Sequence, residues 1–244
     1  MMMYTQLRND RRKFLALTGL TLREFQLVLP AFARSSERLH LPDRTLAGRR
    51  RQRFAGGGRK AVLSSPEQKL LFLLVYLKTY PLQAVLGELF GISQPRANYW
   101  IHRLLPSLRQ ALDELGVLPE RDPRQFARRQ ATAGEDPRLV IDGTERRRQR
   151  PKNPAKQAAH SSGKKKAHSD KNVVIANLRS KRISFLSGTY AGKTHDKKVA
   201  DTEGICYPPE AVLYQDTGFQ GYEPAVRETC QPKKKATWRR THGR

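Results

Sequence analysis

The 244-residue sequence predicts a fold of two classes, an all-α block followed by an α/β block. Apolar residues recur at helical spacing as far as about residue 118, whereas after residue 138 they form short runs typical of strands. A polar segment containing glycine and Asp-Pro pairs separates the two patterns. The prediction is a basic helical arm with a Gly/Arg-rich loop at 1–60, a helical domain at 61–121, a linker at 122–138 and an α/β domain at 139–244.

The first helices are predicted from apolar spacing and from capping residues. Thr21 and Glu24 fit a capping box, so a helix should begin after Thr21. The basic stretch 49–60 contains Gly56-Gly57-Gly58, and three consecutive glycines are hard to keep in a regular element. We expect a flexible basic loop there.

A buried helix is predicted at the start of the second segment. Ser65 suits the N-cap, Pro66 the first helical position and Gln68 the reciprocal capping position. The apolar run 70–77 follows, and Tyr80-Pro81 ends the helix.

The segments 82–90 and 94–104, joined by Gly91-Ile92-Ser93, have the spacing of a helix-turn-helix. In that motif the second helix enters the major groove of DNA, where Arg reads guanine and Asn or Gln reads adenine. Three residues on the early turns of the second helix are candidate base contacts: Gln94, Arg96 and Asn98. Pro106 should kink or restart this helix. The alternative is an ordinary helical hairpin with a polar face.

Short apolar runs predict the strands of the α/β block. Residues 139–141 predict a strand followed by a turn at Asp142-Gly143, and 173–178 with 183–186 predict an antiparallel hairpin. A further strand at 211–214 ends near Asp216.

Asp142 and Asp216 are candidate metal ligands because each follows one of these strands. Carboxylates at adjacent strand ends can share divalent metal ions, which activate a nucleophile and stabilise the leaving oxygen in phosphoryl transfer. Mg²⁺ suits such a site because it needs few carboxylates and completes its shell with water and phosphate. The simpler interpretation is that aspartate is common in turns and pairs with nearby basic residues.

The charge distribution points to a polyanionic partner. With 47 Lys and Arg against 22 Asp and Glu, the formal net charge is +25. Residues 1–60 contribute +10, residues 61–136 +1 and residues 137–244 +14, so two basic flanks enclose a nearly neutral middle. Such blocks favour a nucleic acid partner over ordinary small-metabolite chemistry. They also favour it over a membrane surface, because no basic amphipathic helix with a strong apolar face accompanies them.

Neither a membrane span nor a disulfide-bonded secreted fold is expected. The longest apolar run, 70–77, is too short to cross a bilayer, and the N-terminus lacks the apolar core of a signal peptide. Cys206 and Cys230 show no metal-type spacing and indicate a reducing compartment. We expect a cytoplasmic protein.

A series of motifs resembles DDE-type bacterial insertion-sequence transposases, in particular the family of insertion sequence five. The blocks that carry the resemblance are Val140-Ile141-Asp142-Gly143-Thr144-Glu145, Arg150-Pro151, Ser162-Gly163-Lys164-Lys165-Lys166 with His168, Gly192 with His195-Asp196, Gln215-Asp216-Thr217-Gly218-Phe219-Gln220-Gly221 and Pro232-Lys233-Lys234-Lys235. The segment from 64 to about 118 resembles the helix-turn-helix domain of these proteins. The order and spacing of the motifs, over about residues 10–238, are specific.

The resemblance implies an RNase H-like catalytic fold, Mg²⁺ or Mn²⁺ as cofactor, and cleavage and joining of DNA strands by a nucleoid-associated protein. The implied partners are terminal inverted repeats, target DNA and, as transposition normally requires, further copies of the chain. By position, Asp142 and Asp216 are the first and second catalytic, metal-binding acids. Three lysines are expected to contact DNA, unless they form a solvated charge run: Lys164, Lys165 and Lys166. His195 and Asp196 are expected to cap or orient a helix start, and Glu145 has no assigned role.

The sequence departs from the family after Asp216. The family's third acid, a Glu on a helix beyond the lysine block, is not found, and Glu223 and Glu228 come too early. We therefore expect a C-terminally truncated chain with an incomplete RNase H-like domain, one uncovered sheet face, DNA binding retained and catalysis lost or severely reduced. The alternative is a non-catalytic helix-turn-helix DNA- or RNA-binding protein in which Asp142 and Asp216 are incidental.

Overall fold

The structure is a computed structural model that describes residues 1–39, 49–50, 61–163 and 165–232. Most of the predicted Gly/Arg-rich loop, Lys164 and the basic segment 233–244 lie outside the described residues. The chain divides into two compact units, Met1–Val117 and Leu118–Arg244, which are described separately. Among the described residues, no helix is both long and apolar enough to cross a membrane.

The first unit is helical and is built around one buried helix. Its helices within the described ranges are α1 (Tyr4–Leu7), α2 (Arg11–Thr18), α3 (Leu22–Leu39), α4 (Pro66–Thr79), α5 (Gln83–Phe90) and α6 (Gln94–Glu114). The apolar run of α4 is buried over 70–75, and it packs with the buried aromatic rings of Phe14, Phe25, Phe32 and Phe90. Residues 1–39 therefore share one core with the predicted helix-turn-helix and do not form a separate arm.

The predicted capping residues start both α3 and α4. The Thr21 N–H donates to Glu24 Oε2 at 2.7 Å, and the Glu24 N–H donates back to Thr21 Oγ1 at 3.3 Å. This reciprocal pair confirms the capping box. Ser65 Oγ accepts from the Gln68 N–H at 3.2 Å, and Pro66 is the first residue of α4, as predicted.

The predicted reciprocal cap from the Gln68 side chain is wrong. Gln68 is buried, so its amide group needs protein partners. It donates to the Met2 carbonyl at 2.7 Å and accepts from the Tyr4 N–H at 2.9 Å. The side chain therefore ties the N-terminal residues to α4 instead of closing the cap.

Helices α5 and α6 have the predicted helix-turn-helix spacing. Gly91 ends α5 in the left-handed conformation, with φ of 66°. At Gly87, a Cβ atom would lie 2.5 Å from the backbone oxygen of Ile92, so glycine allows α5 to approach the turn closely. Ser93 is the N-cap residue of α6, but its side chain makes no capping hydrogen bond.

Of the kink or restart expected at Pro106, the restart is wrong, because α6 continues unbroken from Gln94 to Glu114. A proline within a helix removes one backbone hydrogen bond. Here Leu104, Leu108 and Ala111 lie on either side of Pro106 and are buried in the core. Burial of this face outweighs the missing hydrogen bond.

The second unit is a mixed sheet with helices. Within the described ranges its elements are α7 (Phe126–Ala133), β1 (Arg138–Arg147), α8 (Pro154–His160), β2 (Ser161–Ser162), β3 (Ala167–Asn177), β4 (Ile183–Leu186), β5 (Tyr190–Ala191), α9 (Asp196–Glu203), β6 (Val212–Gln215), a 3₁₀ turn (Thr217–Phe219) and β7 (Glu228–Cys230). The main strand order is β2-β3-β1-β6-β7, and β4 and β5 also pair with β3. β3 is antiparallel to β1 and β4, which confirms the predicted hairpin, while β6 is parallel to β1 and β7.

The segment that the sequence predicts to be a linker belongs to the second unit. Residues 126–133 form α7, and Phe126 is fully buried against Phe185 and Tyr207. The prediction rested on the polar composition of residues 122–138. Composition alone does not show that one aromatic side chain, Phe126, anchors the segment to the core.

Strand β1 continues through Asp142-Gly143, so the turn predicted there is wrong. Pairing with β3 extends from Leu139 opposite Asn177 to Arg147 opposite Ser169, and it holds this stretch extended. One face of the sheet is buried in the core through Leu139, Ile141, Val173, Ile175 and Leu213. On the other face the apolar side chains are only half-buried: Val140, Val174, Ala176, Val212 and Tyr214.

Candidate active site and DNA interface

The two candidate metal ligands lie where the parallel pairing of β1 with β6 ends. The last paired residues of β1 and β6 are Ile141 and Gln215. Asp142 and Asp216 are the next residues along each strand, and both are exposed. Because neighbouring strands are about 4.8 Å apart, the backbones of the two aspartates lie side by side in the sheet.

Each carboxylate is fixed through one oxygen by a nearby backbone group. The Gly143 N–H donates to Asp142 Oδ1 at 2.7 Å, and the Gly218 N–H donates to Asp216 Oδ1 at 2.8 Å. The remaining oxygens are hard donors that fit an ion such as Mg²⁺, which completes its shell with water. Within the described residues, however, no group of three or more His, Cys, Asp or Glu side chains is arranged to hold a metal.

Asp216 also lines a cleft of about 580 Å³ beside the 3₁₀ turn. The charged side chains of its wall include Glu145, Lys171 and Asp196. Asp142 does not line this cleft, since alternation along β1 places it on the opposite face from Glu145. The two predicted ligands therefore share a sheet edge but not one cleft.

A buried lysine holds two acids in the wall of this cleft. Lys171 Nζ lies 2.9 Å from Asp196 Oδ1 and 3.4 Å from Glu145 Oε1, and it donates to the Thr194 carbonyl at 2.7 Å. The side chains of Lys171 and Glu145 are each only 8% exposed. The contact with Asp196 is an ion pair without hydrogen-bond geometry, so this oxygen is electrostatically compensated although it accepts no hydrogen bond. We call Glu145, Lys171 and Asp196 the buried ion cluster.

Glu145, to which the sequence assigned no role, is the anionic partner of Lys171. Burial raises the pKa of Glu145, but hydrogen bonds from Ser162 and Ser169 and the charge of Lys171 outweigh burial, so the pKa lies below its ordinary value. The Ser169 hydroxyl donates to Glu145 Oε2 at 2.8 Å. Lys171 is not among the site residues predicted from the sequence. Lys171 lies two residues before the buried Val173, so the alternation of side chains along a strand places both on the core face.

His195 and Asp196 lie at a helix start, as expected, but neither side chain acts there as a cap. His195 is the N-cap residue of α9 and makes no side-chain capping hydrogen bond. The Asp196 carboxylate instead packs against β1. A Cβ atom at Gly143 would lie 2.4 Å from Asp196 Oδ1, so the glycine beside Asp142 makes room for the buried ion cluster.

The predicted base-contacting residues differ in how they are held on α6. Gln94 and Asn98 both donate to the side-chain oxygen of Gln83 on α5, at 3.0 and 3.1 Å. Arg96 is exposed, and its guanidinium lies 5.4 Å from the ring centroid of Tyr99. Gln83 and Tyr99 were not predicted, because their roles depend on how the two helices pack and turn.

The predicted lysine block is described in part. Lys165 and Lys166 are exposed in the turn between β2 and β3, where they are accessible to a partner, and Lys164 lies outside the described residues.

Two family models match the chain. The helix-turn-helix of DDE superfamily endonuclease matches residues 62–114, which include α4, α5 and α6. DDE superfamily endonuclease matches residues 141–242, which include Asp142 and Asp216. These matches support a DDE-superfamily, transposase-like protein. Along the chain, the region matched to the helix-turn-helix precedes the region matched to the endonuclease, in the order that the resemblance predicts. Neither a search of curated proteins nor one of solved structures found a match.

Proposed function

We propose that the chain is a transposase of the insertion sequence five type. It binds transposon ends through α5 and α6, and its second unit is an RNase H-like endonuclease domain that cleaves and joins DNA in the bacterial cytoplasm. The observation that carries the proposal is the position of Asp142 and Asp216, which follow the last paired residues of parallel strands in the region matched to DDE superfamily endonuclease. Two carboxylates at one edge suit phosphoryl transfer with Mg²⁺ or Mn²⁺.

In the proposed mechanism the acidic residues hold the cation and the basic residues bind DNA phosphates. Asp142 and Asp216 would hold a divalent cation through the oxygens not engaged by Gly143 and Gly218. Such a cation would supply positive charge to phosphodiester oxygens as negative charge develops on them. The exposed Lys165 and Lys166 bind phosphates of the DNA strand and keep it at the edge of the sheet.

We further infer that these 244 residues alone hold the cation weakly, with DNA cleavage lost or severely reduced. The described residues offer no third acid grouped with Asp142 and Asp216. The purified chain should give no measurable strand transfer with Mg²⁺ or Mn²⁺ on a duplex that carries its own transposon ends. Strand transfer that Asp142→Ala abolishes would overturn this inference and would support an active transposase.

Arg96 is the residue in the proposed interface with the clearest base-reading role, because it is exposed and held beside Tyr99. Arg96→Ala should weaken binding to transposon-end DNA by about 1–3 kcal/mol and binding to random duplex by less. Arg109→Ala, an exposed arginine further along α6, is the matched control and should change both affinities little. Equal loss on both duplexes after Arg96→Ala would mean that Arg96 contacts only phosphate.

The second candidate function is a non-catalytic helix-turn-helix protein that binds DNA or RNA. One observation favours it, namely that Asp142 and Asp216 have no third acidic partner in the described part of the chain. Under this alternative the two aspartates bind no metal. A titration with a divalent cation therefore separates the alternatives, whereas the salt dependence of DNA affinity is steep in both.

A further inference from the structure

A basic cleft in the first unit lies outside the matched helix-turn-helix. It has a volume of about 570 Å³ and lies between the first turns of α2 and α3. Its lining combines guanidinium groups with aliphatic side chains: Arg11, Arg12, Arg23, Leu15 and Leu22, together with Thr21 and Gln26. The family model begins at residue 62, so it does not cover this cleft. We call it the arginine cleft.

No carboxylate in the described part of the chain forms an ion pair with the guanidinium groups of the arginine cleft. Arg11, Arg12 and Arg23 are exposed, and within the described residues none of them forms an ion pair with a carboxylate. The adjacent acids are occupied elsewhere. Asp10 accepts from the Lys13 N–H at 3.0 Å, and Glu24 accepts from the N–H and hydroxyl of Thr21 at 2.7 and 2.8 Å.

Two other arginines on α3 differ from those of the arginine cleft because they have a carboxylate partner. Arg34 and Arg38 both form ion pairs with Glu114 of α6, at 2.5 and 2.8 Å. The same helix therefore carries ion-paired arginines near its end and an arginine without an ion pair in the described residues, Arg23, near its start. A group of three guanidinium ions without carboxylate partners favours an anionic ligand from outside the fold.

The shape and chemistry of the arginine cleft suit a phosphate that carries a sugar. Arg11 and Arg12 occupy the first two positions of α2, where the helix dipole adds positive potential. Leu15 is 46% exposed and supplies an apolar surface next to these charges. Guanidinium groups bind phosphate oxygens in a fork geometry, and an aliphatic side chain can contact the adjacent deoxyribose.

We propose that the arginine cleft binds the sugar–phosphate backbone of DNA at a position separate from the bases contacted by α6. This inference rests on the proposed DNA-binding function. The cleft and the helix-turn-helix belong to one compact unit, Met1–Val117. Phosphate contacts carry no sequence information. The cleft therefore adds affinity and salt dependence, but not specificity.

The test uses the full chain with the triple substitution Arg11→Gln, Arg12→Gln and Arg23→Gln. Duplex affinity is measured from about 50 to 200 mM salt. Each lost phosphate contact lowers the slope of log affinity against log salt by about 0.9, so the slope should fall by about 2–3. Affinity at about 100 mM salt should fall at least roughly tenfold, equally on transposon-end and random duplexes. The double substitution Arg34→Gln and Arg38→Gln is the control for removing exposed arginines, and its slope should stay within about 0.5 of the parent.

Each of the remaining outcomes contradicts DNA binding by the arginine cleft, and the outcomes can be told apart. If the parent binds DNA and the triple variant keeps the parent slope and affinity, the cleft is not a DNA contact, and the proposed function is unaffected. If the parent binds no DNA, the proposed function and this inference both fail. If vesicles containing phosphatidylserine bind the parent but not the triple variant, while DNA binding is unchanged, the ligand is a lipid surface. Circular dichroism melting of each variant checks that the fold is retained.

Discussion

At the scale of single residues, Lys171 neutralises two acids and its loss should be costly. Lys171→Met leaves Glu145 and Asp196 without the cation between them, and breaking a buried pair costs about 3–5 kcal/mol. The free energy of unfolding measured in urea should fall by that amount. Lys197→Met is the matched control, since it removes only an exposed pair with Asp201 and should cost no more than about 0.5 kcal/mol. Similar losses in the two variants would contradict a structural role for the buried ion cluster.

The sequence predicted some of these residues and missed others for a physical reason. Asp142 and Asp216 were found because each directly follows a local apolar pattern. Lys171 and Glu145 lie directly opposite each other in the pairing of β1 with β3, so their contact depends on the register between two strands that are distant in the sequence. Local patterns do not fix such a register. No local pattern in the sequence therefore distinguishes Lys171 and Glu145, which form a buried pair, from the other charged residues around them.

At the scale of elements, the close approach of α5 to its turn gives a second prediction. A Cβ atom at Gly87 would lie 2.5 Å from the Ile92 carbonyl oxygen, and this backbone atom cannot rotate away as a side chain can. Gly87→Ala should lower the free energy of unfolding of the first unit by about 1–3 kcal/mol and weaken DNA binding. Glu88→Ala, at the adjacent exposed position of α5, should alter neither property appreciably. A fully stable Gly87→Ala variant would disprove the close contact.

Elements whose starts and ends depend on nearby residues were predicted well. The capping box of α3, the Ser65 cap of α4 and the left-handed Gly91 all depend on contacts within a few residues. The errors at Pro106 and at Asp142-Gly143 have the opposite cause. In the first case burial of a helix face, and in the second pairing with a distant strand, outweighs the local preference for a break.

At the scale of the whole molecule, the charge asymmetry and the two family matches agree on DNA as the partner. The matched helix-turn-helix, 62–114, falls within the nearly neutral middle of the chain. The matched endonuclease region, 141–242, lies in the more basic C-terminal part. This distribution is consistent with base reading by one region and phosphate binding by the flanks. Composition could predict that division, but it could not predict which arginines the fold leaves unpaired.

We propose that Asp142 and Asp216 together hold a divalent cation, and Mn²⁺ binding by the full chain tests this proposal most directly. Isothermal titration should be carried out on the parent, Asp142→Asn, Asp216→Asn and the control Glu210→Gln, an exposed acid away from the edge. We predict weak binding by the parent, at least a tenfold loss of affinity in each aspartate variant, and no change in the control. Mn²⁺ affinity that is unchanged in both aspartate variants would contradict the claim and favour the non-catalytic alternative.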